Sequence, residues 1–245
     1  MTSQIKEERL DYMPGGKRTI FQRNDVFSYS MDAVLLAKFV RLPSEKGKII
    51  DLCAGNGAVS LMMTLRTKAK IEAVEIQPLL SNLAVKTMVE NQIDDQVRVI
   101  EANLLELDGK VQWESYDVVT CNPPYFPVTA EKGKNINTHV SLARHEIACT
   151  LEDVIRVASR LVKQKGKLAM VHRPERVVEI FAAMKAFRLE PKRIQYVHPK
   201  KDKEANMVLI EAVREGNPGL KTLPPWVVYD DDQSYIKEFK KHYES

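Results

Sequence analysis

Asn122-Pro123-Pro124-Tyr125, entered from the apolar run Asp117 to Cys121, is the stretch whose residue types could do chemistry. Pro123 and Pro124 lack a backbone N–H and have fixed φ, so neither strand nor helix continues through them, and their carbonyls point beyond the sheet. Asn122 adds an amide oxygen beside the Pro123 carbonyl, and Tyr125 adds a flat face for a planar ring. Two neighbouring acceptors suit an aromatic or amide NH2 group. Gripping its two hydrogens favours the pyramidal form, in which the nitrogen lone pair is localised, and no strong base is then needed. Asn-Pro alone reads as a polar turn; the whole tetrapeptide after an apolar strand reads as a catalytic loop. Asn122, Pro123 and Tyr125 are the catalytic candidates, with Pro124 and Tyr125 placed to bind substrate.

A second constellation is Asp51-Leu-Cys-Ala-Gly55-Asn-Gly57, a glycine turn that ends one strand and opens a helix, where ligands bind in an α/β sheet. Two glycines let the backbone approach a ligand closely, and the next helix N-terminus offers free N–H groups. Ser60 stands where a dinucleotide fingerprint has its third glycine, and the Asp51 carboxylate beside the turn would repel a pyrophosphate. It suits instead an adenosine cofactor with an ammonium or sulfonium group and no phosphates, namely S-adenosylmethionine. Glu75, twenty residues after Gly55 at the end of the next strand, is placed to accept from both ribose hydroxyls; the bland alternative is an exposed strand-end acid.

These loops need a scaffold, and from Lys48 onward β-rich runs alternate with longer amphipathic ones. That is the pattern of a parallel sheet with helices on both faces. The strands expected are Ile49–Cys53, Ile71–Ile76, Val97–Glu101, Asp117–Cys121, Lys167–His172, Arg193–Val197 and Met207–Val213. Helices are expected over Ala58–Arg66, Pro78–Asn91, Leu151–Lys163 and Glu175–Ala186, with Gly166 as a helix stop. The fold expected is α/β: one doubly wound, seven-stranded, mostly parallel sheet. Residues 1–47 form a lead-in with a strand at Thr19–Arg23 and an apolar helix from Met31. Residues 48–213 form the core, and 214–245 a tail ending in a short helix, all in a single domain. Asp32 sits in the first turn of the early helix, where the helix dipole favours a carboxylate, and a weaker functional reading has this segment cover one end of a cofactor.

The composition, 44% apolar and 29% charged, is that of a soluble globular protein. The polar, mixed-charge start lacks the order of a signal peptide and no apolar run reaches membrane-spanning length, so a cytoplasmic enzyme is expected, with no membrane partner. Cys53, Cys121 and Cys149 are odd in number and far apart in sequence, which argues for reduced thiols rather than a disulfide framework or a Cys-x-x-Cys metal site. His145-Glu146-Ile-Ala-Cys149 has no evident third ligand, so no metal is expected. Net charge is +4, yet Lys163 to Lys203 holds twelve basic residues against four acids, a local +8. That is either a polyanion footprint, with Lys200 and Lys201 as phosphate contacts, or a solvated face. Arg144 either contacts phosphate, holds the substrate loop or makes a structural ion pair. The polar stretch Phe126 to Val140 is a candidate lid.

The glycine turn, Glu75 and the Asn122 tetrapeptide together resemble the class I, Rossmann-like S-adenosylmethionine-dependent methyltransferases that modify amino nitrogens. More narrowly, Phe21-Gln-Arg23, Phe27-Ser-Tyr-Ser-Met-Asp-Ala-Val-Leu-Leu36, Ala143-Arg-His-Glu146 and Val171-His-Arg-Pro-Glu-Arg176 resemble the bacterial tRNA1(Val) adenine-37 N6-methyltransferase family. The resemblance covers about Lys17 to Glu211 and implies a cofactor set of Asp51, Gly55, Gly57, Glu75, Ile76, Asn103 and Leu104. Asn103 departs from the acid common in that family, though its amide oxygen can accept the same bond from the adenine amine. The activity implied is N6-methylation of an unpaired adenine in RNA, most naturally a tRNA anticodon-loop base. Alternatives are a glutamine-amide methyltransferase acting on protein, a DNA amino-methyltransferase, and a cofactor-binding protein without catalysis.

Overall fold

A computed structural model of the chain describes residues 7–26, 28–125 and 148–245. Five parallel strands form one side of the sheet, with β5 at its edge: β3 (Lys48–Leu52), β4 (Lys70–Glu75), β5 (Val97–Glu101), β6 (Tyr116–Cys121) and β7 (Val162–His172). On the far side of β7 lies β9 (Met207–Arg214), antiparallel to it, and then β8 (Leu189–His198), antiparallel to β9. Two short strands, β10 (Lys221–Thr222) and β11 (Trp226–Val227), extend the sheet along β8, giving nine strands among the described residues, two more than the seven expected. The chain winds outward from β3 through β4 to β5, returns to β6 on the other side of β3, and continues to β7. The β3–β6 boundary is therefore the switch point, where strand C-termini leave a crevice.

Helices α2 (Ala58–Met63), α3 (Pro78–Glu90), α4 (Leu151–Leu161) and α5 (Val177–Ala186) connect these strands. Both sheet faces are covered, so the strands read as continuous apolar runs. Alternation sends Ile49, Ile71, Val118 and Ala169 into one apolar cluster, with α1 (Met31–Phe39) and α2. Ile50, Val74, Val119, Leu168 and Met170 point into the other, with α4 and α5. Thr150 and Asp153 form a reciprocal capping box that starts α4 sharply at Leu151. Helix α1 is apolar on nearly all sides, as a helix buried all round must be, and Val34, Leu35 and Leu36 are inaccessible.

Several expected boundaries move. Gly166 does not stop a helix: α4 ends at Leu161, and Gly166 lies inside β7, where a Cβ would stand 2.9 Å from the Tyr116 carbonyl oxygen. The pairing of β6 with β7 slips register between Tyr116 and Val118. Strand β8 begins at Leu189, ahead of the expected Arg193, and a register shift between Pro191 and Arg193 accommodates the proline. The expected strand at Arg193–Val197 is thus the second half of a longer one.

Before α1, β1 (Glu8–Tyr12) and β2 (Thr19–Arg23) form an antiparallel hairpin that docks on α3. The free edge of β2 is satisfied by side chains: Phe21 N–H donates to Thr87, Thr19 N–H to Asn91, and the Asn56 amide donates to the Phe21 carbonyl. After β11, α6 (Lys237–Glu244) packs its buried Phe239 and Tyr243 into the cluster that holds α1. Among the described residues no helix is long and apolar enough to cross a membrane.

Candidate functional site

A cleft opens at the C-terminal ends of β3, β4, β5 and β6. Its floor is the turn Cys53 to Asn56 after β3, and its walls are Glu75 to Gln77 after β4 and Ala102 to Leu104 after β5. Asn122 and Pro124 close it from β6, and Tyr29, Ser30 and Ala33 cover it from the N-terminal segment. Gly55 has φ +58° and a Cβ there would meet nothing within 4 Å, so the turn presents bare backbone to open space. Gly57, at φ +87°, is needed for packing instead: a Cβ would stand 2.5 Å from Met88 Cε on α3.

Glu75 is buried, and backbone donors hold it in place. Its Oε2 accepts the Gly55 N–H at 2.8 Å and its Oε1 the Gln77 N–H at 2.9 Å. Burial pushes its carboxyl above the usual range, and the backbone donors pull the other way. With the Ile76 N–H as a further donor, the carboxylate still has lone-pair capacity left for a ligand. Asn103 is held in an Asx-type turn, its Oδ1 accepting the Leu105 N–H at 3.0 Å.

Of the cofactor candidates, Gly55, Glu75, Ile76, Asn103 and Leu104 line the cleft, while Asp51 and Gly57 do not. Asp51 is fully buried inside the sheet, where its carboxylate accepts from Ser60 Oγ at 2.8 Å and Thr120 Oγ1 at 2.7 Å. Burial raises its pKa to about 6 against those two hydroxyls. Among the substrate-side candidates, Asn122 and Pro124 face the cleft and Pro123 is buried. Tyr125 is half-buried, with its hydroxyl 2.6 Å from Asp32 Oδ2 and 2.5 Å from Asn122 Oδ1. Its ring lies against His172, with centroids 5.2 Å apart, and the Arg173 guanidinium is 5.6 Å from the ring centre. Arg144, the candidate lid from Phe126 to Val140, and His145-Glu146 lie outside the described residues.

The basic stretch does not form one face. Strand direction puts Arg173, Arg176, Lys200, Lys201 and Lys203 at the cleft end of the sheet, and Lys163, Lys165, Arg188 and Lys192 at the other. Arg193 is a part-buried pairing group: it meets the buried Glu211 at 3.1 Å and lies over the Phe39 ring. Lys201 is exposed, and Lys200 reaches the Asp231 carbonyl at 3.3 Å. Cys53, Cys121 and Cys149, far apart in sequence, come together at the floor of the cleft, which Cys53 and Cys149 help to line. A hydrogen bond to Cys121 and burial push the Cys53 thiol well above its ordinary range, which leaves it neutral and unreactive at pH 7. Among the described residues no group of His, Cys, Asp and Glu could hold a metal ion.

Sequence reasoning had this lead-in segment cover one end of a cofactor without singling out Tyr29, Ser30 and Ala33 as cleft walls, and it missed Asp32 and His172 as partners of Tyr125. The Ser30-Met-Asp32 run is visible in the chain, but nothing in a separation of 93 residues pairs Asp32 with Tyr125.

A family model described as methyltransferase small domain matches residues 17–188, from the hairpin to the end of α5. The chain belongs to that family. A curated relative from Cytophaga hutchinsonii is 25% identical over 191 residues, 78% of this chain and 79% of its own length. That relative is named tRNA1(Val) (adenine(37)-N6)-methyltransferase. Among solved structures, a predicted O-methyltransferase from Agrobacterium tumefaciens superposes with a TM-score of 0.69 at 23% identity, covering 87% of this chain and 97% of that one. Geranyl diphosphate C-methyltransferase from Streptomyces coelicolor, solved with S-adenosyl-L-homocysteine, superposes at 0.57 and 18% identity, covering 74% and 76%. The fold is that of class I methyltransferases, and this protein is an S-adenosylmethionine-dependent methyltransferase. Bare backbone at Gly55 beside a buried, pre-oriented carboxylate at Glu75 fits such a cofactor, with space for its adenosine and acceptors for its hydroxyls.

Proposed function

We propose that this methyltransferase transfers a methyl group to the N6 amine of an unpaired adenine in tRNA. The observation that carries the reading is that Asn122 and Pro124 wall the same cleft as Gly55 and Glu75, which brings an amine-gripping loop to the cofactor crevice. The name of the Cytophaga hutchinsonii relative supports the tRNA adenine as acceptor.

When bound, S-adenosylmethionine supplies an electrophilic methyl on a sulfonium sulfur. Glu75 holds the ribose hydroxyls, Gly55 lets the backbone close on the ligand, and Ile76, Asn103 and Leu104 border its adenine. Asp51 acts on the turn from within the sheet as a buried charge. On the acceptor side, the Asn122 amide oxygen and the Pro123 carbonyl take the two amine hydrogens, localising the nitrogen lone pair toward the methyl group. Tyr125 and Pro124 offer a flat surface to the base, and Arg144 is a further substrate contact. A loop base can be turned out at a much smaller cost than a paired one, which favours a single-stranded site in a folded RNA. Lys200 and Lys201, on the cleft side of the sheet, take phosphates away from the chemistry.

The test is mass spectrometry of nucleosides from tRNA lacking the modification, after incubation with enzyme and cofactor. N6-methyladenosine is expected. Its absence, with methylglutamine forming on a protein substrate in parallel, would replace this reading with the amide one.

A further inference from the structure

We infer that Asp32 is a positioning residue: through the Tyr125 hydroxyl it turns the Asn122 amide so that its oxygen, rather than its NH2, faces the acceptor. The inference rests on the amine-gripping role proposed for Asn122.

The Tyr125 oxygen lies 2.6 Å from Asp32 Oδ2 and 2.5 Å from Asn122 Oδ1. A phenol has one hydrogen and cannot donate to both. Burial and the neighbouring Asp32 charge hold that proton on the oxygen, so the hydroxyl stays a donor at neutral pH. A carboxylate is the stronger acceptor, because the hydrogen bond to it is charge-assisted. The hydroxyl therefore donates to Asp32. Two oxygens 2.5 Å apart with no hydrogen between them repel, and a half-turn of the Asn122 amide removes the clash by presenting its NH2 to the Tyr125 oxygen. That same half-turn points the amide oxygen away from Tyr125, on a residue that lines the cleft.

Asp32 is held for this task. It is only 6% exposed, and its other oxygen is taken by Ser30 Oγ at 2.5 Å and the Ala33 N–H at 2.8 Å. Tyr125 is held as well, by His172 and Arg173 at its ring and by Arg176, whose Nη1 donates to the Tyr125 carbonyl at 3.4 Å. The polarity of the chain from Asp32 to Tyr125 to Asn122 is thus set at its Asp32 end. Because Ser30 and Ala33 also line the cleft, the same turn of α1 touches both the cofactor space and the acceptor loop.

Asp32→Asn is isosteric and keeps one oxygen for Ser30 and Ala33, but its new amide nitrogen donates to the Tyr125 oxygen. The hydroxyl then donates to Asn122, and the whole chain reverses. Turnover on tRNA should fall by about tenfold to about a hundredfold, with the dissociation constant for S-adenosylhomocysteine within about twofold of wild type. Tyr125→Phe lowers turnover by itself and removes the link, so adding Asp32→Asn to it should cost less than about twofold more. An equal loss in both backgrounds, or a loss of cofactor affinity in step with turnover, would overturn the inference. Wild-type enzyme that makes no N6-methyladenosine would instead sink the functional reading on which it rests.

Discussion

The Glu75 carboxylate accepts the Gly55 N–H at 2.8 Å, tying the end of β4 to the turn after β3 across the cleft. Glu75→Gln turns one of its two acceptors into a donor that must face either a backbone N–H or the ligand. Hydrogen bonds to charged groups contribute about 1.5–3 kcal/mol, so affinity for S-adenosylhomocysteine should fall by about tenfold to about a hundredfold. Calorimetry would measure it, and unchanged affinity would remove Glu75 from the binding set.

In the proposed reaction Asn122 acts after the cofactor is in place. Asn122→Ala should lower turnover by about a hundredfold or more while S-adenosylhomocysteine still raises the melting temperature as it does for wild type. Turnover near the wild-type value would refute the gripping role.

Lys200 and Lys201 follow β8 at the cleft end of the sheet. Changing both to Gln should weaken tRNA binding, flatten the dependence of log Kd on log salt by about one to two, and leave cofactor affinity intact. Binding titrations at several salt concentrations would decide, and an unchanged slope would exclude these lysines as phosphate contacts.

Asp51 and His172 make stability respond to pH in opposite directions. Burial raises the Asp51 carboxyl from 3.8 to about 6, so its contribution is fully present below about pH 4 and is lost as pH rises through about 6. Burial lowers His172 from 6.5 to about 4, so its contribution is present above about pH 6.5 and is lost as pH falls through about 4. Each shift corresponds to about 3 kcal/mol, and the two windows overlap, so the effects largely cancel. Asp51→Asn removes the first alone. The variant should gain on wild type by up to about 3 kcal/mol between about pH 4 and about pH 7 in denaturant unfolding, and a difference independent of pH would contradict the buried charge.

Much of the fold was legible because the central strands are buried on both faces. Ile49-Ile50 and Val118-Val119 send neighbours into opposite apolar clusters, which leaves an unbroken apolar run in the sequence. Strand β1, Glu8-Arg-Leu-Asp-Tyr12, has no such run, since it lies at the outer edge of a hairpin and, among the described residues, pairs only with β2. Gly166 misled because glycine serves helix ends and strand irregularities alike, and here it relieves the close approach of the Tyr116 carbonyl. In the site, the glycine turn, Glu75 and Asn122 were legible since each follows directly from its own strand end.

The sequence by itself determined the local chemistry: a proline-locked row of acceptors at Asn122, a glycine at position 55 that opens the turn, and a carboxylate one strand away. Backbone constraints and residue type act over a few neighbours, so they can be read there. Only the tertiary structure decided where the side chains go. It turned Asp51 inward onto Ser60 and Thr120, placed Arg193 in a pair with Glu211, and divided the basic stretch between the two ends of the sheet. It also brought Asp32 to Tyr125. The physical reason is that strand direction, face and packing partner are set by elements distant in the chain, and a side chain's role depends on which of them it meets.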